Sequence, residues 1–218
     1  MRDNPILNKM KDLNTRNVKG VFFDFDGTIL NSFSSQFKAY QATFRRFKIQ
    51  LTKSEFLRNY SPNWLKTYEA FGLPGECWQE ADRLWLQEIV RFPSRFFPRA
   101  KTMLINLRKS YRLGLVTSGS KQRVLHDLRD NKASSLFDVI VTGDDVRKRK
   151  PHPEGLLMAL ESLKIDRKQA IYVGDAVEDL KMARTAGIRF IGIQSLFTTK
   201  LPSALPRVGD LTKLLGNM

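Results

Sequence analysis

Val21-Phe22-Phe23-Asp24-Phe25-Asp26-Gly27-Thr28 is the stretch from which the rest of the chain can be read. Its first residues are apolar and β-prone, and they end abruptly in two aspartates separated by one phenylalanine. A strand alternates its faces, so Asp24 and Asp26 are expected to point to the same side. Gly27 then permits a sharp turn that brings backbone N–H groups near whatever the carboxylates hold. Two carboxylates about 4 Å apart repel by about 4 kcal/mol at an effective dielectric of about 20. A cation is therefore expected beside them, and Mg²⁺ is the hard, oxygen-seeking candidate. A strand-end Asp pair on its own is better explained by a solvated turn, so the remaining strand ends have to decide.

Further β-rich runs lie at 112–117, 139–142 and 170–174, with a fifth candidate at 188–193. Helical patterns fill the intervals at 101–109, 122–129, 154–163 and 177–186. Alternation of this kind predicts an α/β fold: a Rossmann-like parallel sheet core with helices on both faces. Ligands in such sheets bind at the carboxyl ends of the strands, where the Asp pair falls. Residues 34–92 differ, with helical periodicity and no strand signal. Phe37, Tyr40, Phe44 and Phe47 form one apolar stripe, and Trp78, Ala81, Trp85 and Ile89 a second. These aromatics could stack on bases, but helical spacing favours a small helical core. The segment is expected to be an inserted all-helical cap domain.

The second strand end reads Val116-Thr117-Ser118-Gly119-Ser120. The Thr117 hydroxyl, the amides of Ser118 and Gly119 and the positive end of the next helix could together hold a phosphate; helix capping by Ser118 or Ser120 is the plainer alternative. After the third strand come Lys150-Pro151-His152-Pro153, where prolines stiffen the loop and Lys150 could reach back over the sheet edge. His152 is read as an ordinary loop residue. The fourth strand end, Gly174-Asp175, is followed one helical turn later by Asp179. Acid pair, hydroxyl, lysine and acid pair at four successive strand ends form a far stronger signal than any one of them.

That order resembles the haloacid dehalogenase-like superfamily, and the cap position with the Lys-Pro-x-Pro form is similar to its phosphoglycolate phosphatase and β-phosphoglucomutase branch. The resemblance implies a core of 18–33 and 93–218, a cap of 34–92 and an extension of 1–17. It further implies Asp24 as a nucleophile that forms an aspartyl-phosphate and Asp26 as acid and then base. Thr117 and Lys150, with Ser118 and Gly119, would hold the phosphoryl oxygens. Mg²⁺ would be bound by Asp24, Asp26 through its carbonyl, Asp175 and Asp179. Carbon–halogen-cleaving and phosphonate-cleaving members lack the second acid that this chain keeps as Asp26, which favours phosphate esters. Many relatives carry an acid in place of Asn31 and a glycine in place of Arg149, which bears on substrate choice and hinge behaviour.

The expected function is thus a Mg-dependent phosphatase acting on a small phosphorylated metabolite. A phosphomutase is the alternative, and a catalytically silent, basic nucleic-acid-binding module a third reading. The net charge of +15 motivates the last, but the basic residues are dispersed and no nucleic-acid-binding signature accompanies them, so nucleic acid is not expected as a partner. The apolar runs are too short to span a membrane. The single cysteine, Cys77, suits a reducing compartment, and 1–19 lacks the apolar block of a secretory signal, so a cytoplasmic location is expected. Arg45, Arg46, Lys66 and the Pro74-Gly75 turn are candidates for substrate selection by the cap.

Overall fold

The computed structural model describes residues 17–196. The expected extension, 1–17, falls outside the described residues apart from Asn17, as does the 197–218 end of the expected core. Five parallel strands form the central sheet: β1 (Gly20–Phe23), β4 (Arg112–Val116), β5 (Val139–Val141), β6 (Ala170–Gly174) and β7 (Arg189–Gly192). Their spatial order is β5-β4-β1-β6-β7. The chain therefore builds outward from β1 through β4 to β5, then crosses back to place β6 on the other side of β1. That reversal makes the carboxyl ends of β1 and β6 the topological switch point, where doubly wound sheets open a crevice.

Alternation along the central strands assigns each sheet face its helices. Val21, Phe23, Leu113, Leu115, Ile171 and Val173 point to one face, with Met103 and Leu104 of α5 (Ala100–Leu107) and Val124 and Leu128 of α6 (Lys121–Asp130). Phe22 and Tyr172 point to the other, with Leu156 and Leu160 of α7 (Glu154–Leu163) and Met182 and Ala183 of α8 (Val177–Ala186). Phe22, Phe23 and Phe25 are fully buried. Each contributes about 1.5–3 kcal/mol by leaving water, so the strand that leads into the acids is anchored on both faces.

The chain leaves the sheet through β2 (Leu30–Asn31) and returns through β3 (Arg95–Phe96), which pair antiparallel. Asn31 thus lies in the two-stranded tie between core and helical segment. Beyond the tie come α1 (Phe33–Arg46), α2 (Lys53–Asn59), α3 (Trp64–Ala70) and α4 (Trp78–Ile89). Thr52 and Glu55 cap α2 reciprocally, the Glu55 amide donating to the Thr52 hydroxyl and the Thr52 amide to the Glu55 carboxylate. Both aromatic stripes enter one apolar cluster, in which the Tyr40 ring centroid lies 5.7 Å from that of Phe44 and 5.6 Å from that of Trp85. These rings are occupied with one another.

One local expectation fails in detail. β1 stops at Phe23, so the strand alternation expected to point Asp24 and Asp26 to one side does not extend to them. The Asp24 amide still donates to the Val173 carbonyl at 2.8 Å, but the Phe25 carbonyl accepts the amides of Thr28, Ile29 and Leu30. Asp26 therefore sits in a tight loop, which Gly27 closes at a φ of 79°. The two aspartates face one crevice and take different partners.

Candidate active site

Asp24 is buried at the end of β1, and its Oδ1 accepts from Lys150 Nζ at 2.5 Å. The lysine comes from the loop after β5, which is braced where the Glu154 carboxylate accepts the amides of Arg147 and Lys148 at 2.8 and 3.0 Å. The other two ammonium protons of Lys150 go to Asp179 Oδ1 at 2.8 Å and to the Tyr172 hydroxyl at 2.7 Å. Tyr172 Oη in turn lies 3.1 Å from the Val116 carbonyl oxygen and 3.1 Å from Asp179 Oδ1. The second oxygen of Asp179 accepts the Ala176 amide at 3.1 Å. That bend is possible because residue 174 has no side chain: a Cβ on Gly174 would lie 2.5 Å from Asp179 Oδ2.

Asp175, at the end of β6, is only 2% exposed, and hydroxyls are the hydrogen-bond partners seen at its carboxylate. Thr28 Oγ1 lies 3.2 Å from its Oδ1 and 3.5 Å from Asp24 Oδ2, while Ser195 donates to its Oδ2. Oxygens of Asp24, Asp175 and Asp179 lie within 4.8 Å of one another. Two of these three buried carboxylates, Asp24 and Asp179, share the Lys150 ammonium, while Asp175 is met by hydroxyls. Burial, reinforced by Asp24 and Asp179, pushes Asp175 well above the usual carboxylate range. Burial also raises Asp24, to about 7, because Asp179 and Asp26 offset part of the pull of Lys150. For the lysine, burial alone would depress the ammonium, but Asp179 and Asp24 outweigh it and hold it charged. An all-oxygen donor set with surplus buried negative charge fits a hard divalent cation.

The Asp26 carboxylate stands apart from that side-chain cluster. Its two oxygens accept from both terminal nitrogens of Arg123, with Nη1 at 3.0 Å from Oδ1 and Nη2 on Oδ2. Each aspartate has a cationic side chain beside it, Lys150 for Asp24 and Arg123 for Asp26. Asp26 lies in the loop after β1, so its carboxylate turns toward α6 rather than toward Asp175.

Thr117, Ser118 and Gly119 follow β4 and line the same crevice, a cavity of about 120 Å³. The Gly119 amide donates to Thr117 Oγ1 at 3.1 Å, and the buried Ser118 hydroxyl has no hydrogen-bond partner among the described residues. Helix capping is not the use made of these serines: the first amide of α6, that of Lys121, donates instead to Asp144 at 2.8 Å. The helical segment closes the outer wall with Gln36, Tyr40, Arg58, Tyr60, Trp64 and Trp85. Arg45, Arg46, Lys66 and the Pro74-Gly75 turn do not line it. Arg149 meets Trp64 across the opening, its guanidinium 5.8 Å from the ring centroid.

Sequence reasoning left Thr28, Tyr172, Ser195 and Arg123 without roles. Period-2 alternation along β6 could have exposed Tyr172, a hydroxyl-bearing residue on the face between Ala170 and Gly174. Arg123 and Asp127 are spaced as an i, i+4 pair, but nothing local points to Asp26, 97 residues away.

The fold places an acid cluster at the switch point of a doubly wound sheet, and comparison with known proteins gives the family. Residues 21–193 match the haloacid dehalogenase-like hydrolase family, and the chain belongs to it. It is 31% identical over 202 residues to a validoxylamine A 7'-phosphate phosphatase of Streptomyces hygroscopicus subsp. limoneus, covering 89% of this chain and 93% of that protein. It is 27% identical over 214 residues to the pyrophosphatase PpaX of Bacillus pumilus, covering 94% of this chain and 99% of that protein. The crystal structure of CbbY from Rhodobacter sphaeroides in complex with phosphate shares the fold, with a TM-score of 0.75 at 20% identity over 89% of this chain and 96% of that one.

Proposed function

We propose that the protein is a Mg²⁺-dependent phosphatase of small phosphorylated substrates that works through an aspartyl-phosphate on Asp24. The observation that carries this reading is the shared position of Asp24: it touches Lys150 on one side and lies within the Asp175–Asp179 acid cluster on the other. Relatives named for phosphatase and pyrophosphatase activity support the same reaction class.

Phosphoryl transfer asks a protein chiefly for alignment and for positive charge near the transferred group. Asp24 attacks phosphorus, the bond to the leaving oxygen breaks, and Asp26 gives that oxygen a proton. A water then attacks the phosphoryl group while Asp26 takes its proton, and the Asp24–phosphorus bond breaks to release phosphate. Lys150, with all three protons already directed, orients Asp24 and offsets charge on the phosphoryl oxygens. Thr117, the unpartnered Ser118 hydroxyl and the Ser118–Gly119 backbone supply further donors. Mg²⁺, held by Asp24, Asp175, the Asp26 carbonyl and, directly or through water, Asp179, would neutralise the remaining carboxylate charge and polarise the phosphoryl group.

Residues 34–92 act in this reading as a cap on a core of 18–33 and 93–218, excluding water and choosing the leaving group. Small substrates suit a cavity of about 120 Å³. Among the described residues no helix is long and apolar enough to cross a membrane, and the single free Cys77 is compatible with the cytoplasm.

Phosphate release from a panel of pyrophosphate, nucleotides, sugar phosphates and phosphoglycolate, with Mg²⁺ or with chelator, tests the proposal. Metal-dependent turnover of at least one compound is expected. No turnover by folded protein, or turnover indifferent to chelator, would overturn it.

A further inference from the structure

Arg123 belongs to none of the four strand-end segments, yet it takes hold of the residue to which the acid–base work is assigned. We propose that Arg123 is a positioning residue for the reaction: gripping Asp26 through both carboxylate oxygens, it aims that carboxyl at the leaving-group side and keeps it out of the Asp24–Asp175–Asp179 cluster. The inference rests on reading Asp26 as the acid and base.

The guanidinium is planar, and two parallel N–H bonds to one carboxylate fix orientation as well as distance. Its own orientation is fixed in turn. Nη1 also donates to Asp127 Oδ2 at 3.0 Å, one helical turn further along α6, and the Phe25 ring lies 5.9 Å from Cζ. The backbone makes room for it: a Cβ on Gly119 would come within 2.4 Å of Nη2. The phosphate-side loop and the arginine are therefore shaped to each other.

Stability alone is a poor reason for this placement. Arg123 is 4% exposed, and its Nε has no hydrogen-bond partner among the described residues. It also stands in the first turn of α6, where the helix dipole disfavours a cation. An apolar side chain of similar volume would hold the helix to the sheet at least as well. What an apolar residue could not do is present Asp26. In the first half-reaction that carboxyl must deliver a proton to the leaving oxygen, and in the second it must accept one from water at the same place. With one arm of the fork retained, one oxygen is steadied while the other handles the proton.

The test compares kcat/KM for p-nitrophenyl phosphate, whose leaving group is stable as an anion, with that for glycerol 3-phosphate, whose alkoxide needs a proton. The ratio of the two constants in one sample is independent of how much protein is folded. Asp26→Asn is expected to shift the ratio against the alkyl ester by about a hundredfold or more. Arg123→Met should shift it the same way by about tenfold, and Arg123→Lys, which keeps the charge facing Asp127, by less. Adding Arg123→Met to Asp26→Asn should change the ratio no further. If Asp26→Asn shifts the ratio and both Arg123 variants leave it at the wild-type value, the role given to Arg123 is wrong. If Asp26→Asn itself leaves it unchanged, the acid assignment fails first.

Discussion

Lys150 reaches Asp24 across 126 residues of chain, placing its buried Nζ 2.5 Å from Oδ1 at the carboxyl end of β1. The same ammonium lies 2.8 Å from Asp179, so one cation ties the end of β1 to the helix that follows β6. Buried pairs add little net stability when intact, but removing one partner strands the other.

Lys150→Met should therefore cost about 3–5 kcal/mol of stability in metal-free protein and abolish turnover. Chemical unfolding and phosphate release measure the two effects. A variant as stable and as active as wild type would show that the ion pair is incidental.

Acidity should control the metal-free protein in a defined direction. Asp24 is raised to about 7 and Asp175 is raised well above its usual range, burial being the first cause in both. Groups whose folded pKa exceeds the unfolded value stabilise the fold at low pH, and that contribution is lost as pH rises through the folded pKa. In chelator, then, the melting temperature should carry a falling contribution between about pH 5.5 and pH 8. Mg²⁺ competes with those protons, so its stabilising shift should be larger at pH 8 than at pH 5.5. Equal Mg²⁺ shifts at the two pH values would contradict this assignment.

Gly174→Ala offers a probe that leaves every acid in place. The added methyl would lie 2.5 Å from Asp179 Oδ2, so the carboxylate must move off the Ala176 amide and loosen its hold on Lys150. Destabilisation of about 1–3 kcal/mol is expected, together with weaker Mg²⁺ binding by calorimetry. Unchanged metal affinity would mean that Asp179 is not needed at the ion.

Substrate choice should follow the wall of the cavity rather than the basic surface of the helical segment. Arg58→Ala is expected to raise KM for the preferred substrate by about tenfold, through loss of a charged hydrogen bond. Arg45→Ala and Lys66→Ala, which lie off the cavity, should stay within about twofold of wild type. The opposite ranking in a three-variant KM comparison would relocate the specificity surface.

The sheet was legible because its strands are short apolar runs ending in polar residues, and β6 falls at 170–174 as read. The helix at 154–163 was equally plain, carrying an unbroken apolar pattern after Pro153. Local signals placed Asp24, Lys150, Asp175 and Asp179 at strand ends, and the fold brings them together at the crevice. Tertiary pairing was not legible. Nothing near Arg123 announces Asp26, and nothing near Asp26 says that the strand stops at Phe23 and turns its carboxylate toward α6. Charge along the helical segment likewise drew attention to Arg45, Arg46 and Lys66, whereas wall residues such as Tyr60 and Trp64 are chosen by how the helices pack.

Covalent trapping at Asp24 tests the central claim most directly. Protein quenched in acid during turnover of its best substrate, then weighed intact and mapped by peptide, should show one phosphoryl group on Asp24 with Mg²⁺ present. No such adduct should form in Asp24→Asn. A phosphoryl group on another residue, or full turnover by Asp24→Asn, would contradict the account.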